Sequence, residues 1–486
     1  MKKYVIILPA FLLIALSFNS PDNSAPSEDK SPVLKWADKT GAKRIPKGKK
    51  IYNVGLYGAK NDGMTLNTKA IQAAIDVCSS KGGGVVTFDT GAYVTGSLFI
   101  KKGVTLLVSK NTMILGSQDI ADYPEIDTRI AGVEIRWPAA RINVMDQDKV
   151  ALTGEGTIHA RGKPFWDKYW AMRKDYEKKG LRWIVDYDCK RPRTLLISGS
   201  SNVTVKGLTF KQAGFWTVQI LYSRYITVDG LTILNNVEGS GPSTDGVDID
   251  SSSWILVENC DIDCNDDNFC LKAGRDADGL RVNRPTEYVV IRNCIARRGA
   301  GLVTCGSETS GGIRNVLAYN MIAYGTTNCI NFKSAVTRGG TVENIYVHDI
   351  VMDNVGTMLR ATMDWNPSYS YSTLPKEYSF DSIPDHWKIM LQKVSPEQGT
   401  PHFKNIYLWE MKGTVRGSAI SISGMKESPI ENYFLSEIEI EARSPGDISF
   451  AKGWRFKNVS IKTTTYGELR IQNSTEMDIK LSGSGK

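Results

Sequence analysis

Histidine is scarce: His159, His348, His386 and His402 are widely separated in a chain of 486 residues. None has a compelling nucleophilic partner, so a Ser or Cys triad is unsupported. Compact CxxC pairs are missing, which with so few histidines disfavours zinc, and the simple EF-hand signature is absent as well. Beyond residue 18 no run is long and apolar enough to cross a bilayer. Neither sign of charge dominates, with 60 Lys plus Arg against 52 Asp plus Glu and a net charge of +8. Because these cations are scattered, nucleic acid is weakly supported as a partner. Proline is modest at 18, and the 44 glycines have no three-residue period, which excludes collagen. The 11 Trp, 20 Tyr and 14 Phe supply core material and exclude wholesale disorder.

The first feature present is MKKYVIILPAFLLIALSF, two lysines ahead of a short apolar stretch, which has the form of a secretory signal. It predicts a signal over residues 1–20, a polar spacer and N-terminal arm over 21–48, and one domain over 49–486, with export to the periplasm or the exterior. Eight cysteines, Cys78, Cys189, Cys260, Cys264, Cys270, Cys294, Cys305 and Cys329, are compatible with an oxidising compartment. Several replace apolar residues in strand-like runs, favouring buried thiols, although even parity leaves disulfides open.

Next comes one helical pattern. Asn67 or Thr68 can cap a short helix that places Ala70, Ile71, Ala74, Ile75 and Cys78 on one face, and Gly82 to Gly84 end it. Beyond residue 147 a shorter idea repeats: SNVTVKGLTF, RYITVDGLTI, SWILVENCDI, EYVVIRNCIA. Asn202, Tyr225, Trp254 and Tyr288 hold equivalent places, at the spacing of solenoid repeats. Units this small cannot bury a face alone, whereas stacked parallel coils share one core. The fold expected is all-β, a single-stranded right-handed parallel β-helix with the helix capping its open N-terminal end. A β-sandwich is the alternative, but it asks for cleaner alternation and hairpin turns. Residues 350–400 read as a turn-rich insertion, either beside a groove or peripheral.

Chemistry concentrates at STDG (243–246) and NDDNFCLKAG (265–274). Asp266 and Asp267 follow Asp245 at a distance of about one repeat, so one coil can bring the three carboxylates together. Neighbouring carboxylates repel when both are ionised, which retains a proton on one as a general acid while another activates water. Asx turns at solenoid corners, or calcium, are the other uses of such aspartates.

These motifs, with YNVGLYGAKNDG and VALTGEGTIHARG before them, resemble glycoside hydrolase family 28, the polygalacturonases. The resemblance implies a β-helical hydrolase acting with inversion, with Asp266 as general acid and Asp245 and Asp267 positioning and activating water. An acid-to-base separation of about 6.5 to 9.5 Å is then expected. It implies no metal and no organic cofactor. Two positions depart from the family pattern: Ala300 stands where histidine is usual, and Asn331 replaces an arginine while Lys333 is kept. The stretch from Lys272 onward resembles the exo-acting branch. Lys333, with Lys272, Arg275 and Asn331, is therefore the expected substrate-binding set, since a uronate carboxylate needs cations when it is desolvated. Trp166, Trp170, Trp183 and Trp216 are candidate sugar platforms.

The expected activity is an exo-acting α-galacturonidase on a pectic oligosaccharide containing galacturonic acid, including rhamnogalacturonan-derived ones. An endo-acting rhamnogalacturonan hydrolase and a non-catalytic pectin-binding β-helix are the alternatives. A lyase is less attractive, because it needs a base for the sugar C5 proton.

Overall fold

From Ile51 to Gln472 the chain winds as a parallel β-helix. The computed structural model describes residues 34–465 and 467–481. The signal expected over 1–20, and the spacer as far as residue 33, lie outside the described residues.

The repeat follows from what each coil buries. Val203, Ile226, Ile255, Val289, Val316, Ile345 and Ile406 form one ladder, each against its counterpart in the next coil. All seven are sealed from solvent, and each such side chain contributes about 1.5 to 3 kcal/mol by leaving water. The residue before each of the first four is Asn202, Tyr225, Trp254 or Tyr288, at φ 54°, 57°, 61° and 55°. This left-handed corner costs a non-glycine residue about 1 to 2 kcal/mol. Ring stacking offsets it, with Tyr225 and Trp254 6.1 Å apart and Trp254 and Tyr288 4.3 Å apart. The step from Val316 to Ile345 is that of an ordinary coil, whereas the next rung, Ile406, comes only after a much longer stretch of chain. The surplus is an insertion over residues 363–401, which carries the short helices Pro367–Ser370 and Asp385–Met390.

The helix Thr68–Ser80 covers the first coils with Ile71, Ala74, Ile75 and Cys78 buried. Two details differ from expectation. Ala70 is only half-buried. The Asn67 side chain makes no cap; it accepts from the Lys60 N–H at 2.7 Å and donates to the Lys60 carbonyl, tying down the preceding loop. After the helix, Gly83 has φ 98°, and a Cβ there would lie 2.5 Å from the Gly103 carbonyl oxygen. All eight cysteines are free and buried.

One sheet positions the site. Val218–Leu221, Val247–Asp250, Phe269–Lys272, Gly301–Cys305, Asn328–Lys333 and Thr357–Thr362 pair in parallel register. Strand side chains alternate. Val247, Ile249, Phe269 and Leu271 enter the core, so Asp248, Asp250, Cys270 and Lys272 fall on the outer face.

Three insertions stand over that face. They are the antiparallel hairpin Glu125–Ile130 and Val133–Pro138, the helices Lys163–Lys178 and Val185–Asp188, and the 363–401 segment. They share a second core outside the β-helix, in which Trp137, Trp183, Tyr187, Phe215 and Trp387 are buried.

Candidate active site

Asp245 ends the corner that leads into Val247–Asp250, and Asp266 and Asp267 occupy the same corner one coil later. The backbone makes the match: the Gly246 N–H donates to the Asp267 carbonyl at 2.9 Å and the Val247 N–H to the Asn268 carbonyl at 2.8 Å. One oxygen from each of Asp245, Asp266 and Asp267 lies within 4.8 Å of the others. They face a recess that is also lined by Trp216, Lys272, Glu308, Lys333, Trp365 and Tyr369. The spacing is shorter than the separation expected between an inverting acid and base, about 6.5 to 9.5 Å. The reason is that all three carboxyls come from adjacent levels of one corner, and coils stack about 4.8 Å apart.

Neighbours divide the three carboxyls. Asp267 is 1% exposed. Burial alone would raise its pKa, but Lys333 and Lys272 outweigh that, together with hydrogen bonds from Lys333 Nζ at 2.7 Å and Thr304 Oγ1 at 2.7 Å, and hold it low. Asp266, half-buried and open to the recess, is raised by desolvation and by the Asp267 charge, with Lys333 and Lys272 opposing. Asp245 is pushed well up by burial and by the charges of Asp248 and Asp266. At neutral pH the arrangement therefore holds an ionised Asp267 against more readily protonated partners, the division that acid and base catalysis requires.

Lys272 Nζ lies 3.7 Å from Asp245, 3.6 Å from Asp248 and 3.3 Å from Glu308. It also sits 4.8 Å over the Trp216 ring. Burial would raise the Glu308 pKa, but Lys272 and Arg338 hold it down to about 2. Asp248 is fully buried, and neither of its oxygens has a donor among the described residues. A proton on Asp248 or Asp245 supplies the donor that two carboxylates lack, and both pKa values are raised. The Asp245, Asp248 and Cys270 ligand atoms also lie within 4.8 Å of one another. A divalent cation there would meet the ammonium of Lys272, so the donor set suits a proton better than a metal.

Lys333 and Lys272 thus reach the recess. Arg275 does not. Its guanidinium is fully buried and donates to Asp276, to the Tyr187 hydroxyl at 3.0 Å, and to the Tyr369 and Ser370 carbonyls at 2.7 and 3.3 Å. This corrects its expected role: it fastens the 363–401 segment above the sheet. Asn331 is buried on the outer face in register with Thr304, on the strand that carries Lys333, and it does not line the recess. Ala300 lies beside Asp266, its N–H donating to the Asp266 carbonyl at 2.9 Å. Of the four tryptophans expected as sugar platforms, only Trp216 lines the recess. Trp166 and Trp183 are buried, and Trp170 donates to the Ser240 carbonyl at 2.8 Å. Sequence reasoning missed Asp248, Glu308, Thr304, Trp365 and Tyr369. The alternation in Val247-Asp248-Ile249-Asp250 could have flagged Asp248 as an outer-face acid one strand from Lys272. Trp365 and Tyr369 carried no signal, since a long insertion brings them in.

Comparison with known proteins agrees with this fold and its motifs. The pattern of glycosyl hydrolases family 28 matches residues 103–371. A probable polygalacturonase of Vitis vinifera is 33% identical over 310 residues, 61% of this chain, and the alignment spans 59% of that relative's length. An exo-poly-alpha-D-galacturonosidase of Dickeya chrysanthemi is 25% identical over 474 residues, 89% of this chain and 74% of the relative. The structure of a hyperthermoactive exopolygalacturonase from Thermotoga maritima superposes with a TM-score of 0.74 at 24% identity, covering 88% of this chain and 95% of that one. At that identity the likeness shows the fold, a right-handed parallel β-helix. The family match takes in more than half of the sequence and contains all three recess aspartates, and the chain therefore belongs to glycosyl hydrolases family 28.

Proposed function

We propose that the protein hydrolyses terminal galacturonic acid from pectic chains, as an exo-acting α-galacturonidase. The observation that carries this reading is the walled recess. The hairpin and helical insertions rise on the side of the earlier coils, and the 363–401 segment leaves Thr357–Thr362 and reaches back over the sheet to meet them. Tyr369 lies 4.9 Å from Arg182 and 4.5 Å from Arg275 by cation–π contact. A recess walled by insertions suits a chain end better than the middle of a polymer. The buried ammonium groups of Lys272 and Lys333 suit a uronate, because a desolvated carboxylate needs a cation beside it. The exo-acting relative from Dickeya chrysanthemi agrees in kind.

In this reading Asp266 protonates the departing glycosidic oxygen and Asp267 takes a proton from the attacking water. A water bridging two oxygens within 4.8 Å makes hydrogen bonds of ordinary length, about 2.8 Å, to both. Asp245 and Asp267 can thus hold water to one side of Asp266, an arrangement compatible with inversion despite the short spacing. Carboxylates about 5 Å apart otherwise suit retention, so anomer-resolved NMR of the first product decides the stereochemical course. Product length over time tests the exo reading: galacturonate as the sole early product supports it, and a ladder of intermediate oligomers sinks it. Rhamnogalacturonan-derived oligosaccharides belong in the same panel. An exported location, for which residues 1–18 are the support, fits a polymeric substrate and is tested by cell fractionation.

A further inference from the structure

Parallel register places outer-face residues of successive coils in straight rows about 4.8 Å apart, comparable to the advance of a sugar chain per residue. One row starts at the catalytic centre. Thr304, which donates to Asp267 at 2.7 Å, pairs in register with Asn331, and Asn331 pairs with Arg360. The row leads toward the later coils, the direction opposite to the wall formed by the hairpin and the helices. Beyond Arg360 come Ser421, which is small, and then Asp447, whose register partner is Arg470 and whose carboxylate lies 3.8 Å from that guanidinium.

Arg360 is exposed, and its side chain has no hydrogen bond, ion pair or ring contact among the described residues. That sets it apart from Arg275, Arg338, Lys272 and Lys333 around the recess, each of which is committed to a carboxylate. Asn331, between Thr304 and Arg360, is neutral. Thr304 and Asn331 are buried, and the first cation and first exposed side chain of this row past the catalytic centre is therefore Arg360, two coils from Thr304.

We propose that Arg360 binds the carboxylate of a galacturonate unit on the leaving-group side of the scissile bond, providing a uronate subsite one coil beyond the neutral Asn331. The inference rests on the galacturonidase reading and deepens it, because it makes the enzyme selective for a charged unit beyond the terminal sugar. A planar guanidinium can grip a carboxylate through two parallel N–H donors, and an exposed arginine reaches this geometry without first breaking a protein ion pair.

The test compares trigalacturonate with 4-nitrophenyl α-galacturonide, which presents the same terminal sugar but no second carboxylate. Arg360→Gln should raise KM for trigalacturonate by roughly fivefold and Arg360→Glu by more, consistent with loss of one partly solvated charged contact. Both variants should leave the nitrophenyl substrate within twofold of the parent and keep its melting temperature. Equal losses on both substrates, or no loss on trigalacturonate, overturn the proposal. Calorimetric binding of trigalacturonate to Asp266→Asn, with and without Arg360→Gln, gives a readout that needs no turnover. Weaker binding in the double variant supports the subsite even if the parent protein releases no galacturonate, an outcome that removes only the hydrolase reading. Unchanged binding, or no binding to Asp266→Asn at all, overturns the subsite.

Discussion

Lys333 holds Asp267 at 2.7 Å with both side chains almost sealed from solvent, and the same ammonium lies 4.5 Å over the ring of Trp365. A β-helix strand thereby keeps the proposed base ionised, while a residue of the 363–401 insertion covers the cation. The energy of such a pair depends on its being dry, since the attraction between charges weakens steeply as water enters.

Asp266→Asn keeps shape and removes the transferable proton. Its kcat on oligogalacturonides should fall at least about 100-fold, the usual scale for a general acid. Melting temperature should change little, because the side chain is half-exposed and makes one backbone contact. Single-turnover product assays alongside thermal unfolding check both halves of the expectation.

A bell-shaped pH profile should follow from the two opposed shifts. Asp267 is held below its ordinary 3.8, so the acid limb appears where Asp267 becomes protonated, and activity falls as pH drops through that value. Asp266 is raised above 3.8, so the alkaline limb appears where it loses its proton, and activity falls as pH climbs through that value. The limbs are macroscopic constants of the coupled group. Lys333 lowers both carboxyls, so Lys333→Met should move both limbs to higher pH and reduce kcat/KM. Rate against pH for the two proteins is the measurement.

Asp248 gives an opposite sign in stability. Its folded pKa lies well above the unfolded value, near 3.9, because burial disfavours the charge. Folding is therefore weakened progressively as pH rises above the unfolded pKa, by up to about 1.4 kcal/mol per pH unit for one proton. Below that pKa the side chain is neutral in both states and costs nothing. Asp248→Asn should melt higher than the parent at pH 7 and equally at pH 3.5. A uniform loss at both values would show instead that Lys272 needs this partner.

Arg275→Ala should release the 363–401 segment without unfolding the β-helix, because it removes the donors to the Tyr369 and Ser370 carbonyls. Limited proteolysis should cut first within 363–401, and kcat/KM should fall about tenfold or more through misplacement of Trp365 and Tyr369. Arg275→Lys should rescue poorly, since an ammonium cannot reproduce the fork that reaches Asp276, Tyr187 and two carbonyls. Equal protease resistance in parent and Arg275→Ala would count against the clamp.

Much of the β-helix was legible because its period is local. Asn202, Tyr225, Trp254 and Tyr288 mark one left-handed corner in four consecutive coils, and the valines and isoleucines beside them can be read straight from the chain. The triad was legible for the same reason: Asp266 and Asp267 follow Asp245 by close to one turn of the solenoid. Arg275 misled because proximity in sequence to an Asp pair says nothing about which side of a corner a long side chain takes. Its strand ends at Lys272, and by Arg275 the backbone has turned away from the recess toward Tyr187 and Tyr369.

The sequence by itself determined the coil, its register and the level at which the three aspartates meet, because stacking repeats forces equivalent positions together. Only the tertiary structure decided which carboxyl is ionised and how the recess is walled. Those depend on Lys333, Thr304, Glu308 and Asp248 at several coil levels and on Trp365 and Tyr369 from a distant insertion. Charge states are set by burial and by neighbours a few ångströms away, and no local pattern in the chain encodes those distances.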